Sequence, residues 1–253
     1  MINIYTEKEI RVMAEGGKIL AKIVREVAKQ VKPGITTKYL DKVAEDLILK
    51  YNAKPAFKGF NNYPAVLCTS INEEIVHAVP SKRVLKNGDI LTLDLGIKFP
   101  ANGTSKGYCT DMAITLAIGK VDNRIKKLIA TTKKSLEIAI KQCKSGNHLS
   151  DIGWAIQKHT EKNGFNVIRD LVGHGIGREV HEDPQILNYG EKGTGLELVE
   201  GMVLALEPMI CVGNYEIEKC ADGFAYRTKD RSLSAHFEHT VAITKRDPIV
   251  LTK

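Results

Sequence analysis

A pair of amphipathic helices followed by strand-like segments occurs twice in this chain, and that repetition narrows the choice of fold more than any composition figure does. Thr6-x-x-Glu9 is a capping box ahead of Ile10, Met13, Leu20, Ile23, Val24, Val27 and Val31 at helical spacing, until Pro33-Gly34 stops the run. A second helix is expected from about Thr37 to Tyr51. The pattern returns at Asp122, ahead of Ile125, Leu128, Ile129, Leu136 and Ile140, and stops at Ser145-Gly146. Ser150 is the expected cap of a shorter helix closed by Asn163-Gly164. The two starts lie about 115 residues apart with no linker or low-complexity segment between them. The expectation is one α/β (α+β) domain over residues 1–253, with pseudo-symmetric halves of about 1–120 and 121–253 and a functional site between them.

A chain of 253 residues, 43% hydrophobic and 26% charged, has room for a proper core and is neither disordered nor fibrous in composition. No stretch approaches the ~20 apolar residues of a membrane span. The start, MINIYTEKEIRVM, scatters charges where a secretory leader would carry an apolar block, so a cytoplasmic protein is expected. Five cysteines form no CxxC pair and read as reduced thiols. The net charge of +7 favours an anionic neighbour, and weak docking on RNA or a ribosome is the functional form of that excess.

Carboxylates stand where apolar strands are expected. In ILTLDLGIKF (90–99) Leu91, Leu93, Leu95 and Ile97 alternate with Thr92, Asp94 and Gly96, and in CTDMAITLAI (109–118) Met112, Ile114, Leu116 and Ile118 alternate with Cys109, Asp111 and Ala113. Asn102-Gly103 between them is a hairpin signal. A two-residue turn there pairs position i with 205 − i and sets Asp94 directly opposite Asp111, where like charges repel unless a cation lies between them. Glu207 falls on the row of Val203 and Ala205, and Glu238 on the row of His236 and Thr240. A lone Glu of this kind is as readily a core ion pair, but four such carboxylates in one chain favour a metal site, with imidazoles as the natural further ligands. His174, His181 and His77 are the candidates. The glycines at 173, 175 and 177 lack the Lys-Ser/Thr of a phosphate loop, and Gln185 stands where HExxH needs its second His.

Taken together, Cys68-Thr-Ser-Ile-Asn with His77, Asp94-Leu-Gly, Thr110-Asp111, Gly173-His174-Gly-Ile-Gly, Gly201-Met-Val through Glu207-Pro-Met, and Lys229-Asp-Arg-Ser-Leu-Ser-Ala through Glu238-His-Thr resemble the bacterial-type (type I) methionine aminopeptidases over nearly the whole chain. That resemblance implies the pita-bread fold, two pseudo-symmetric halves with helices packed on a curved antiparallel sheet. It implies metal ligands at Asp94, Asp111, His174, Glu207 and Glu238, with Asp111 and Glu238 bridging two ions. It also implies that His77 and His181 contact substrate near the scissile bond and that Phe60, Tyr63, Cys68 and Phe224, with Val180 beside His181, form the methionine pocket. Two features depart from the family: the segment from Asp94 to Asp111 is longer, and Phe60, Val180 and Phe224 replace the familiar Tyr, Phe and Trp.

The four carboxylates carry about −4, which two divalent ions neutralise, and such a pair lowers the pKa of a shared water and polarises a peptide carbonyl. Glu207 is the candidate proton shuttle and His181 the candidate donor to the developing oxyanion. A set of oxygens with one imidazole suits Mn(II), Fe(II) or Co(II), and zinc is compatible with it. The expected substrates are peptides and nascent chains with a small second residue, cut by a monomer with no membrane partner. Beginning Met1-Ile2, the chain is itself expected to keep its first residue. Two rivals remain: a proline-specific aminopeptidase, which shares fold and ligands but generally carries a further N-terminal domain, and a non-catalytic module of this fold, which would have lost ligands.

Overall fold

The computed structural model describes residues 2–101 and 107–253. The first half holds α1 (Glu7–Ala28), α2 (Thr37–Lys50), β1 (Lys54–Pro55), β2 (Cys68–Ile71), β3 (Glu74–Val76), β4 (Ile90–Phe99) and β5 (Tyr108–Ala117). The second holds α3 (Asn123–Ile140), α4 (Leu149–Lys162), β6 (Asn166–Val167), β7 (Gly173–Gly175), β8 (Glu182–Ile186), β9 (Val203–Leu206) and β10 (Met209–Cys211). It ends with β11 (Ile217–Lys219), β12 (Tyr226–Thr228), β13 (Ser234–His236), β14 (His239–Ala242) and β15 (Ile249–Val250). The strands form sheets in the orders β1-β4-β2 with β5 also on β4, β13-β10-β6, β11-β12-β3, and β15-β14-β9-β7-β8. Every pairing among them is antiparallel.

The helices begin where local chemistry says they should. Thr6 and Glu9 close the expected capping box, and Asp122 Oδ1 accepts the Ile125 amide at 2.8 Å. The fourth helix corrects the sequence reading: His148, not Ser150, is its cap residue, and the Asp151 carboxylate reaches back to the His148 amide at 2.8 Å, while Ser150 lies inside the first turn. An acidic side chain three residues into a helix outbids a serine placed where its own amide already needs a partner. Helix α1 also stops at Ala28, short of Val31.

Each helix pair covers its own strands. Leu20, Ile23 and Leu40 pack with Leu91, Leu93, Leu95 and Ile97 in one apolar cluster, so the period-two row read from β4 is the row that meets the helices. Leu128, Leu136, Ile152 and Ile156 pack with Leu204, Ile210 and Val241 in another. A third cluster takes Met13, Tyr63, Cys68 and Cys109 from the first half and Ile176, Val180, Val203 and Ala205 from the second, directly behind the site described below.

The hairpin expected at Asn102-Gly103 falls outside the described residues, but its consequence can be tested on the flanking strands. Pairs along β4 and β5 run from Ile90↔Ala117 to Phe99↔Tyr108, so position i pairs with 207 − i rather than 205 − i. Asp94 faces Ala113 and Asp111 faces Gly96. The ladder ends at Phe99, before Pro100, which has no amide to donate, and the connection is longer than two residues. Because the shift is by two and not by one, both aspartates keep the same face and become diagonal neighbours. Among the described residues no helix is long and apolar enough to cross a membrane, and all five cysteines are free thiols.

Candidate active site

The pair of strands β9–β10 and the pair β13–β14 each change sheets in mid-course. Leu206 pairs with His239 and Met209 with His236, so Glu207-Pro208 and Phe237-Glu238 form a paired interruption between two sheets. Glu207 and Glu238 were expected on continuous strand rows; both lie instead in this gap, where neither belongs to a strand. An uninterrupted ladder would spread them along a sheet face, whereas the gap turns both carboxylates toward β4 and β5. The Glu238 amide donates to the Ala113 carbonyl at 2.9 Å, tying the gap to β5. Thr240 locks it further, its hydroxyl accepting from the Asp111 amide and donating to the Asp111 carbonyl, both at 2.9 Å.

Asp94, Asp111, His174, Glu207 and Glu238 consequently line one cavity of about 300 Å³ together with His77, His181, Phe60, Tyr63, Cys68 and Phe224. Asp111, His174 and Glu238 each offer an atom within 4.8 Å of the others. Val180 differs from expectation: it is buried in the cluster behind the pocket with Tyr63 and Cys68 and does not line the cavity. His77 is held at φ 61, a left-handed backbone that non-glycine residues adopt at some cost, just after β3 ends. His174 depends on its glycines differently. A Cβ at Gly175 would collide with the Asp183 carbonyl, and one at Gly173 would meet the Ala205 carbonyl at 2.5 Å, so the glycines allow β8 and β9 to close on β7 and have no phosphate-binding task.

The electrostatics of the cavity are those of a cation site. Burial, followed by the charge of Asp111, pushes the Asp94 carboxyl well above the usual carboxylate range, and burial raises Asp111 to about 7. Burial and the neighbouring aspartates raise Glu207, while burial, Asp111 and the other two acids raise Glu238. Burial likewise holds the imidazoles neutral, lowering His77 to about 4 and His174 to about 3. The His174 Nδ1 lies 2.9 Å from the Gly175 carbonyl, an arrangement that places the ring proton on Nδ1 and leaves the Nε2 lone pair facing the cavity. His174 Nε2 is 3.5 Å from Glu207 Oε1. Asp94 Oδ1 and Glu238 Oε1 are buried with no hydrogen-bond partner among the described residues. Unsatisfied buried carboxyl oxygens beside an imidazole lone pair fit a divalent cation as common partner.

The aromatic wall is ordered by its own contacts. Tyr63 and Phe224 meet edge to face with centroids 5.6 Å apart, and the Tyr63 hydroxyl lies 3.1 Å from the carbonyls of both Leu67 and Ala78. His181 packs against His174 at 4.3 Å and Phe60 at 5.0 Å between centroids. Sequence reasoning missed five lining residues, Phe57, Asn61, Lys219, Gly223 and Tyr226, and the fully buried His236, whose Nε2 lies 3.4 Å from Glu207 Oε2. His236 had one usable signal, its place two residues before Glu238; the others become neighbours of the site only through folding.

A buried cluster of carboxylates and imidazole in this fold defines a metallopeptidase, and the comparisons agree: the profile of Metallopeptidase family M24 matches residues 11–245, and the chain belongs to that family. Divalent metal binding follows from the family and from the cluster together. Within M24 the chain belongs with the methionine aminopeptidases. It is 47% identical to the methionine aminopeptidase of Clostridium acetobutylicum over 253 residues, covering 100% of this chain and 99% of the relative, and 44% identical to methionine aminopeptidase 1 of Bacillus subtilis, covering 100% of each. The crystal structure of the Thermotoga maritima methionine aminopeptidase superposes with a TM-score of 0.95 at 45% identity, 100% of each chain covered. The prolidase of Pyrococcus horikoshii shares the fold, with a TM-score of 0.78 at 23% identity over 63% of its chain.

Proposed function

We propose that this enzyme, acting in the cytoplasm, removes the N-terminal methionine of nascent proteins and peptides whose second residue is small. Metal-dependent removal of N-terminal methionine is the activity of the family to which the chain belongs. The observation that carries the reading for this chain is the set of buried, unpartnered carboxylate oxygens facing the His174 lone pair at the foot of an aromatic pocket. In this reading residues 1–253 form one catalytic domain with halves of about 1–120 and 121–253.

Asp94, Asp111, His174, Glu207 and Glu238 would hold two divalent ions, Co, Mn or Fe(II) with zinc compatible. Such ions supply Lewis acidity and lower the pKa of a water. The remaining work falls to the chain. The Glu207 carboxylate takes a proton from the attacking water and returns it to the leaving amine nitrogen. His181 donates a hydrogen bond to the carbonyl oxygen as negative charge builds on it. His77 flanks the same carbonyl, and the second substrate residue lies between the two imidazoles, where a large side chain would displace one of them. Phe60, Tyr63, Cys68 and Phe224 take up the methionine thioether, burial of which is worth about 1.5–3 kcal/mol. Such a pocket separates similar apolar side chains by only ~10–200-fold, so leucine and norleucine are expected to be slow substrates and not inert ones.

The test is a set of Met-Xaa-Ser peptides with enzyme stripped of metal and reloaded with each divalent ion. Cleavage should require metal and should be fast for Gly, Ala, Ser, Thr and Val, and blocked for Ile, Leu, Lys and Phe. Equal rates on Met-Lys, Met-Phe and Met-Ala peptides would overturn the steric role of His77 and His181, and full activity without metal would overturn the reading as a whole.

A further inference from the structure

The small sheet β11-β12-β3 sets Lys219 opposite Tyr226 and Tyr226 opposite Val76, immediately before His77. Residues directly paired across strands project from the same face, and Lys219, Tyr226 and His77 all line the cavity. Lys219 is the one lysine or arginine among the described lining residues. Its ammonium lies 5.8 Å from the centre of the Tyr226 ring, and the side chain is exposed at the mouth. The other cations of this hairpin are already paired, Arg227 and Arg231 with Glu218 and Lys229 with Glu216. Lys219 has no carboxylate partner among the described residues.

A lysine on an open surface is solvated and needs no further account. This one stands exposed at the edge of the cavity that holds the carboxylates. On the reading above, the first side chain of a substrate lies against Phe60, Tyr63, Cys68 and Phe224, so the rest of the chain must leave through the mouth, where Asn61, Gly223 and Lys219 stand. We infer that Lys219 is a specificity-determining residue that pairs with a carboxylate carried by the substrate beyond its second residue. The acids deeper in the cavity do not oppose such a group once cations neutralise them, which leaves Lys219 as the uncompensated charge that the departing chain meets.

The experiment compares kcat/KM for the amidated peptides Met-Ala-Glu-Ser, Met-Ala-Ser-Ser and Met-Ala-Lys-Ser, and for the free acid of Met-Ala-Ser-Ser, with wild type, Lys219→Met and Lys219→Glu. For wild type the Glu peptide should exceed the Lys peptide by about five-fold, as an exposed pairing weighed against an exposed repulsion allows. The ratio should fall to about one in Lys219→Met, invert in Lys219→Glu and shrink toward one in ~0.5 M salt. If instead the free acid alone responds to the substitutions, the terminal carboxylate is the partner. A wild-type ratio of one for both carboxylate sources, or a ratio unchanged in Lys219→Glu, overturns the proposal. Failure of the metal-loaded wild type to cut even Met-Ala-Ser-Ser would refute the underlying aminopeptidase reading, an outcome the neutral peptide distinguishes.

Discussion

Stripping the metal with a chelator and raising the pH from 7.5 to 8.5 should destabilise this protein, and adding metal back should abolish the effect. The buried carboxyls of Asp94, Asp111, Glu207 and Glu238 all bind protons more tightly folded than unfolded, primarily because burial penalises their charge. A carboxyl raised in this way contributes stability that is fully present below the unfolded pKa, near 4, and is lost as pH rises through its folded value, about 7 for Asp111. Histidines held neutral have the opposite sign: His77, at about 4, His174 and His236, at about 3, and His239, at about 4, cost stability as pH falls through the unfolded value of about 6.5, where an unfolded imidazole is already half protonated. Above about pH 7.5 the unfolded imidazoles are nearly all neutral and the carboxyls dominate. Each proton that the metal-free fold retains and the unfolded chain does not contributes about 1.4 kcal/mol per pH unit. The metal-free protein should therefore lose stability as pH rises, with Tm falling by about 2–4 °C for each kcal/mol lost in a chain of this size. The complementary measurement is calorimetric titration of metal into the stripped protein at pH 7 in buffers of different ionisation enthalpy, with net proton release expected. A Tm that is flat or rises between pH 7.5 and 8.5, or metal uptake without proton release, would refute the argument.

Asp111→Asn and Glu238→Gln should each lower activity by several orders of magnitude at saturating metal while the far-ultraviolet circular dichroism stays that of the parent, and near-parental turnover in either would sink the two-ion arrangement. His181→Ala should reduce kcat more than KM in steady-state assays, because a bond that strengthens with oxyanion charge acts in the transition state; a pure KM effect would assign it to ground-state binding. Phe224→Ala removes the edge-to-face partner of Tyr63, and kcat/KM for methionine peptides should drop by about 2–12-fold through that contact alone, more as buried area is lost. Gly17→Ala, far from the chemistry, would drive a Cβ into the Leu251 carbonyl and should cost about 1–3 kcal/mol in urea unfolding with activity retained in the folded fraction.

Features that depend on near neighbours in the chain were open to reading from the amino acids alone. The Thr6 and Asp122 caps, the helix pairs and the alternating rows of β4 and β5 follow from hydrogen bonds and periodicities within a few residues, and the motifs around Asp94, Asp111, His174, Glu207 and Glu238 were enough to name a family. Other features required the folded chain. The register of β4 on β5 is set by a connection longer than the turn its Asn-Gly suggested, and only the even size of the shift kept the two aspartates on one face. Glu207 and Glu238 reach the cavity because two strand pairs break together at the same level, a coincidence between segments some 30 residues apart that no local pattern records. His236 and Lys219 join the site for the same reason, since a strand's sequence states which residues share a face but not what that face will meet. Local propensity is a property of adjacent residues, whereas a binding site is a property of surfaces, and surfaces acquire neighbours only when distant segments pack.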